Sequence, residues 1–396
     1  MGTAMLVAGC TSSEKKYDMG SYGYDAAFLQ AHGIEFLELQ SPDGEAKVMV
    51  VPSLQGRVMT STAGGDGGNS YGWINYRFLE AGEWNTQFNP VGGEERFWIG
   101  PEGGAFSYYF KPGAEQVYEN WVVPPVIDTD SYHIEEQTTD RVRFSKSVEL
   151  VNASGFTFSM DIGRTVSLLD ANAVDSLLGM KLPSGLAVVA YESENVLTNR
   201  GEASWTKQTG LPSIWLLGMF NPTPTTTVFI PYEKQAEGPV VNDTYFGKVP
   251  SDRLVVADGM VRFRIDGKYR SKIGVPGPRA MDMCGSYDTE RKVLTLLKFS
   301  RPEGPADYVN GQWGDQEDAF NGDVINAYND GPIEDGSIMG PFYEIETSSP
   351  GAALSPGESI LHRQSVLHIQ GDEKILGEIV RHLFGYDLDN IVKTFR

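Results

Sequence analysis

Short runs in which apolar and polar residues alternate with a period of two recur along most of the chain. Ile34-Glu35-Phe36-Leu37-Glu38-Leu39 and Ala46-Lys47-Val48-Met49-Val50-Val51 form one pair, joined through the turn residues Ser41-Pro42-Asp43-Gly44. Residues 142–150, 156–162, 254–256 and 261–265 repeat the pattern. Successive side chains of a strand project to opposite faces, so β-branched and aromatic residues at every second position mark half-buried strands of a sandwich, not the strands of a parallel α/β sheet. The first pair reads as a hairpin. The 45 glycines and 22 prolines are spread along the chain, as tight turns between many short strands require. One helix is predicted near the end, where Ile375, Leu376, Ile379, Val380, Leu383 and Phe384 share a helical face until Gly385 stops them. The stretches near 62–75, 89–125 and 301–342 read as long loops, which in a β scaffold are commonly functional. The fold class expected is all-β, in a single domain over residues 26–396.

Acidic residues outnumber basic ones by 53 to 32, a formal net charge of -21 that repels a phosphate backbone and an anionic membrane surface. No nucleic-acid partner is expected. Cys10 and Cys284 are the only cysteines, too few for a disulfide framework or a sulfur-rich metal site. Cys10 ends the stretch Leu6-Val7-Ala8-Gly9-Cys10 and precedes the polar Thr11-Ser12-Ser13-Glu14-Lys15-Lys16, which resembles a bacterial lipobox with its tether. On that reading residues 1–10 are a signal remnant and 11–25 a flexible tether. The protein is then lipid-anchored at Cys10, in the periplasm or at the outer membrane. Cys10→Ala is expected to release the protein from the membrane fraction of a bacterium expressing the full-length gene. A wild-type protein that is already soluble overturns the anchor.

The most informative chemistry lies in Tyr343-Glu344-Ile345-Glu346-Thr347-Ser348-Ser349-Pro350, followed by the turn Leu354-Ser355-Pro356-Gly357-Glu358. Read as a strand, it puts Glu344 and Glu346 on one face. Neighbouring carboxylates cannot both ionise freely, so one is held ready to take or give a proton, or else one satisfies a buried Arg. This segment resembles the late strand on which the galactose mutarotase-like (aldose 1-epimerase-like) family carries its base, and the match falls on Glu346. The resemblance covers residues 30 to 370, is nearest to bacterial envelope lipoproteins of the Bacteroidetes type, and implies a β-super-sandwich acting on the anomeric centre of a sugar. In that family the base deprotonates the anomeric hydroxyl while a His protonates the ring oxygen. The matching stretch here is Val196-Leu197-Thr198-Asn199-Arg200, with Arg200 where the His would stand. A guanidinium is a poor proton donor but a good fork for hydroxyls. The resemblance therefore implies Glu346 and Arg200 at the two catalytic stations, on one concave face, with Asn199 and Trp205 positioning substrate. His362 and His368, six apart on the next strand, are either alternative acids or structural.

Gly92-Gly93-Glu94-Glu95-Arg96-Phe97-Trp98 and the following Glu102-Gly103-Gly104 combine close-approach glycines, a flat aromatic face and fixed charges, the ingredients of a sugar site. Glu94, Arg96, Trp98 and Glu102 are candidate contacts, or else Phe97 and Trp98 are core and Glu102 pairs with Arg96. Arg57 is expected to line the same cavity. The oxygen-rich stretch 313–332 suits either a solvated loop or Ca²⁺, and Asp323, Asn326 and Tyr328 in it are candidate sugar contacts. No organic cofactor is called for. Three functions remain open: an epimerase-like isomerase with a shallow open cleft, a non-catalytic glycan-binding lipoprotein of a sugar-uptake system, and, third, a structural envelope protein with a vestigial cleft.

Overall fold

The structure is a computed structural model and describes residues 17–395. Helix α1 (Tyr22–Ala31) precedes the antiparallel strands β1 (Leu37–Gln40), β2 (Lys47–Val51) and β3 (Arg57–Thr62). Helix α2 (Tyr76–Ala81) leads to β4 (Arg96–Gly100), β5 (His133–Gln137), β6 (Arg141–Val151) and β7 (Thr157–Leu168). After α3 (Ala171–Leu178) come β8 (Ala187–Asn199), β9 (Ser213–Phe220), β10 (Thr226–Pro231), β11 (Leu254–Ala257), β12 (Met260–Arg264) and β13 (Ser271–Pro276). The strands β14 (Met283–Asp288), β15 (Val293–Phe299), β16 (Asp323–Asn329), β17 (Tyr343–Ser348) and β18 (Ser359–Gln370) complete the sheets, and α4 (Glu373–Phe384) and α5 (Leu388–Val392) close the chain.

The strands build a ten-stranded sheet in the order β11-β12-β10-β14-β15-β18-β8-β7-β6-β5 and a five-stranded sheet in the order β13-β16-β17-β9-β4. The expected hairpin is β1–β2, with Leu37 opposite Val50. The main core lies between the two large sheets, where Phe97, Leu216, Ile325 and Ile345 of the smaller meet Ile162, Tyr191, Leu197 and Val366 of the larger. The helical periodicity near the C-terminus is realised as α4, capped by Asp372 at its start and by left-handed Gly385 at its end. Its Leu376, Ile379 and Val380 cover Leu294, Leu296, Leu367 and Ile369 on the outer face of the large sheet.

Cys10 and the lipobox-like stretch before it lie outside the described residues. Of the stretch 11–25 expected to be a flexible tether, residues 21–25 instead form the cap and first turn of α1. Ser21 caps α1, whose Tyr22, Phe28 and Leu29 pack on Met49, Val51 and Met59. The apolar set beginning at Tyr22 is enough to bury the helix. Its Asp25 accepts from Ser70 and Tyr76, and burial pushes that carboxyl up to about 6.

Candidate functional site

Register across the small sheet decides which side chains meet. Lys272, Tyr328 and Glu344 are lateral neighbours, and so are Asn326, Glu346, Leu217 and Arg96. Directly opposed residues share a face, so these side chains, with Trp98 and Trp215, all lie on the side away from the core between the sheets. Six of the candidate contacts (Arg96, Trp98, Asn326, Tyr328, Glu344 and Glu346) are thus brought together.

At the centre, Glu346 is fully buried and accepts from Trp215 Nε1 at 2.9 Å and from Lys272 Nζ at 3.0 Å. Lys272 also lies 5.2 Å from the Trp215 ring and 5.5 Å from that of Tyr245. Burial lowers the Lys272 pKa, but Glu346, Glu102 and Glu344 outweigh it and hold the ammonium charged. Glu344 pairs with Arg96 Nη2, whose guanidinium sits 5.1 Å from the Trp98 ring. Desolvation pushes the Glu344 carboxyl up to about 7, Arg96 opposing and Glu346 reinforcing the shift. Trp98 meets Trp215 edge-on at 5.5 Å, and its buried indole N–H has no hydrogen-bond partner.

Glu102 comes to this group from the loop after β4. Desolvation raises its carboxyl to about 7, against the pull of Lys272 and the indole N–H groups of Trp313 and Trp121, with Glu346 raising it further. On the other side a β-bulge between Val275 and Pro276 shifts the β13–β16 register and turns Asp323 towards Asn326. Tyr245 bridges the two, donating to Asp323 and accepting from Asn326 Nδ2 at 3.1 Å. Burial raises Asp323 to about 6. Gly274 is required here, since a Cβ would stand 2.0 Å from Asp323 Oδ2 and 2.7 Å from Asn326 Nδ2.

The face is not the shallow open cleft expected from the sequence. Glu344, Arg96, Trp98, Trp215 and Asn326 are all less than a tenth exposed, because the long loops fold over them. Trp121 stacks between Tyr109 and Trp313, and Gly103 lies so close to Gln312 that a Cβ would meet its carbonyl oxygen at 2.3 Å. The glycines after Glu102 do bring backbone close, to the second loop.

Other candidates are elsewhere. Arg200 was expected across the site from Glu346, but β8 points its odd-numbered residues inward, so Arg200 turns to the outer face of the large sheet. There it pairs with Asp161 and is half exposed. Asn199 and Trp205 are buried near it, not at the site: Asn199 Nδ2 donates to Ala203 O and Leu354 O, and Trp205 packs on Phe158. Glu94 faces the interior, accepting from Ser61 and bonded to His368 Nε2 at 2.9 Å. Arg57 is buried, donating to Gly92 O and Gln55 Oε1 behind the entry to β4. His362 and His368 share a face as expected, but it is the inner one, where His362 Nε2 meets Thr347 Oγ1 and burial pushes its pKa down to about 3. Neither histidine reaches Glu346. Among the described residues no cluster of three or more His, Cys, Asp or Glu is arranged to hold a metal ion.

Lys272, Trp215, Tyr245 and Trp121 are the residues that sequence reading missed. Lys272 left a trace, a cation two positions before Gly274 and the one charged residue of β13. Trp215 left none, because β9 is apolar on both faces and its parity cannot be read.

The model for a family of unknown function, DUF6786, matches residues 20–395. No curated protein matches the chain. Among solved structures, the Slr1438 protein of Synechocystis sp. PCC 6803 superposes with a TM-score of 0.52 at 13% identity, over 85% of this chain and 96% of that one. A galactose mutarotase-like protein from Lactobacillus casei ATCC 334 superposes with a TM-score of 0.51 at 9% identity, over 84% of this chain and 100% of that one. At such identities the likeness is one of fold, and the fold is all-β and galactose mutarotase-like.

Proposed function

We propose that this chain, which belongs to the DUF6786 family, binds carbohydrate on the outer face of its small sheet and acts there on the anomeric centre. The observation that carries this reading is the pairing of two carboxyls of unlike environment around one ammonium, walled by indoles. Glu346 is held by Lys272 and Trp215, while Glu102, in reach of the same Lys272 charge, is raised to about 7. Such a pair divides into a proton acceptor and a proton donor. Glu346 would take the proton of the anomeric hydroxyl and Glu102 would protonate the ring oxygen, so that the ring opens and recloses on its other face. The fold neighbours support a sugar ligand. Lys272 would stabilise the charge that develops between the two groups.

The test is anomer exchange followed by NMR across a panel of aldoses. Because Glu102 must be protonated to donate, the rate is expected to fall as pH rises through about 7. Glu102→Gln should lower the rate by about 10²-fold and flatten that limb of the profile. A falling limb that survives in the variant assigns the donor to another group.

A second reading, a glycan-binding protein without catalysis, is favoured by the full burial of Glu346 beneath Lys272. Binding without exchange for every sugar in the panel would select it. Anchorage at Cys10 in the periplasm or on the outer membrane, among envelope lipoproteins, suits either reading.

A further inference from the structure

We infer that the ligand of this site is a neutral glycan of several residues, not a free monosaccharide. The inference rests on the carbohydrate reading above and extends it from the central charges to the aromatic groups on either side.

The charged centre has aromatic groups over both edges of the sheet. On the β4 side, Trp215 leads to Trp98, Trp98 to Tyr109 at 5.5 Å, and Tyr109 to Trp121 in a stack at 6.1 Å. Trp121 is stacked in turn with Trp313 and Tyr118, which are 37% and 61% exposed. On the β13 side, Tyr245 packs beside Lys272, and the next residue, Phe246, is 46% exposed. Phe246 meets Tyr328 edge-on at 5.9 Å and carries the Arg270 guanidinium 3.9 Å from its ring centre. Four inter-strand spacings separate the two edges, about 19 Å, the length of roughly three or four pyranose rings end to end.

Isolated exposed aromatics are ordinary on a protein surface. These rings differ in their placement on opposite edges of one buried charge pair: the β4 set runs by ring contacts through Trp215 to Lys272, and Phe246 directly follows Tyr245, whose ring lies beside Lys272. A monosaccharide held at Glu346 would leave Tyr118 and Phe246 without any part in binding. A longer chain would use their apolar faces against the C–H faces of successive sugars. The centre sets Glu102, Glu344, Glu346 and Asp323 against Lys272 and Arg96, and the whole chain carries -21, so an anionic glycan is disfavoured.

Calorimetric titration with xylose, mannose, glucose and galactose and with their β-1,4-linked oligomers up to six residues tests this. In the series that binds, affinity is expected to rise at least about 10-fold between one residue and four. Tyr118→Ala and Phe246→Ala should each weaken tetrasaccharide binding roughly 5- to 10-fold while leaving monosaccharide binding unchanged. Both side chains are exposed, so the fold should survive, and circular dichroism checks it. Equal affinity for monomer and tetramer, or tetramer binding indifferent to both substitutions, overturns the inference and leaves the carbohydrate reading standing. Tighter binding of oligogalacturonate than of the neutral chains overturns the neutral class. Failure of every sugar of every length to bind removes the carbohydrate reading and the inference together.

Discussion

Glu346→Gln is expected to slow anomer exchange by about 10²- to 10⁴-fold, the usual contribution of a positioned general base. The amide keeps the shape and can still accept from Trp215 Nε1, so substrate affinity should change far less than rate. The substitution is not silent for stability. Lys272 loses the partner bonded to it at 3.0 Å in a site where its own side chain is only 14% exposed. Breaking a buried ion pair from one side costs about 3–5 kcal/mol, and the remaining attraction of Glu102 and Glu344 for Lys272 should keep the loss at or below the low end of that range. Rates must therefore be compared well below the variant's melting temperature. Exchange that persists at the wild-type rate in folded Glu346→Gln would move the base elsewhere. Unchanged binding with lost exchange is the signature of the assigned role.

Glu346 was legible in the sequence because a strand leaves a strong trace of parity. Glu344 and Glu346, two apart, had to share a face, and Asn326 and Tyr328 follow the same rule on the neighbouring strand. Arg96 and Trp98 carry it to the edge strand β4. What parity cannot give is which face a given residue takes when its strand is buried on both sides. Other residues are misplaced where a strand's parity stops. Glu94 has the parity of Arg96 and Trp98, but it stands ahead of β4, where the chain pairs with Val58 and Met59 of β3, and its side chain turns to the interior. Arg200 fails for a related reason. It stands at the end of a strand whose inward residue is Asn199, so the matched motif was present but turned outward. Asp323 is a third case, since only the extra residue Val324, a bulge in β16 opposite Val275 and Pro276, brings an odd-numbered residue of β16 to the side of Asn326. The roof over the site was visible only as loop length and glycine content, because the pairing of Trp121 with Trp313 joins segments 192 positions apart and no local pattern encodes it.

The two sheets are tied behind the site by a buried pair whose loss should be the most damaging to the fold. Arg164 on β7 and Glu95 ahead of β4 meet at 2.8 Å, each with a side chain wholly removed from solvent. The guanidinium also donates to Gly56 O at 3.0 Å and to Asn195 Oδ1, while Gln364 Nε2 holds the other Glu95 oxygen at 2.7 Å. One ion pair thus joins the large sheet to the turn before β3 and to the entry of β4, the strand that presents Arg96 and Trp98. Arg164→Met is expected to destabilise the protein by about 3–5 kcal/mol, because it leaves the Glu95 carboxylate buried with Gln364 as its remaining partner. Equilibrium urea unfolding at neutral pH measures this. Removing both charges separates the cost of stranding Glu95 from the worth of the pair. Arg164→Met with Glu95→Gln keeps the volume and a partner for Gln364, and should recover most of the loss, since well-packed neutral replacements of buried pairs are commonly near neutral. If the double variant is as unstable as the single one, the guanidinium's bonds to Gly56 and Asn195 carry the stability, and the tie between the sheets is made by those hydrogen bonds and not by charge.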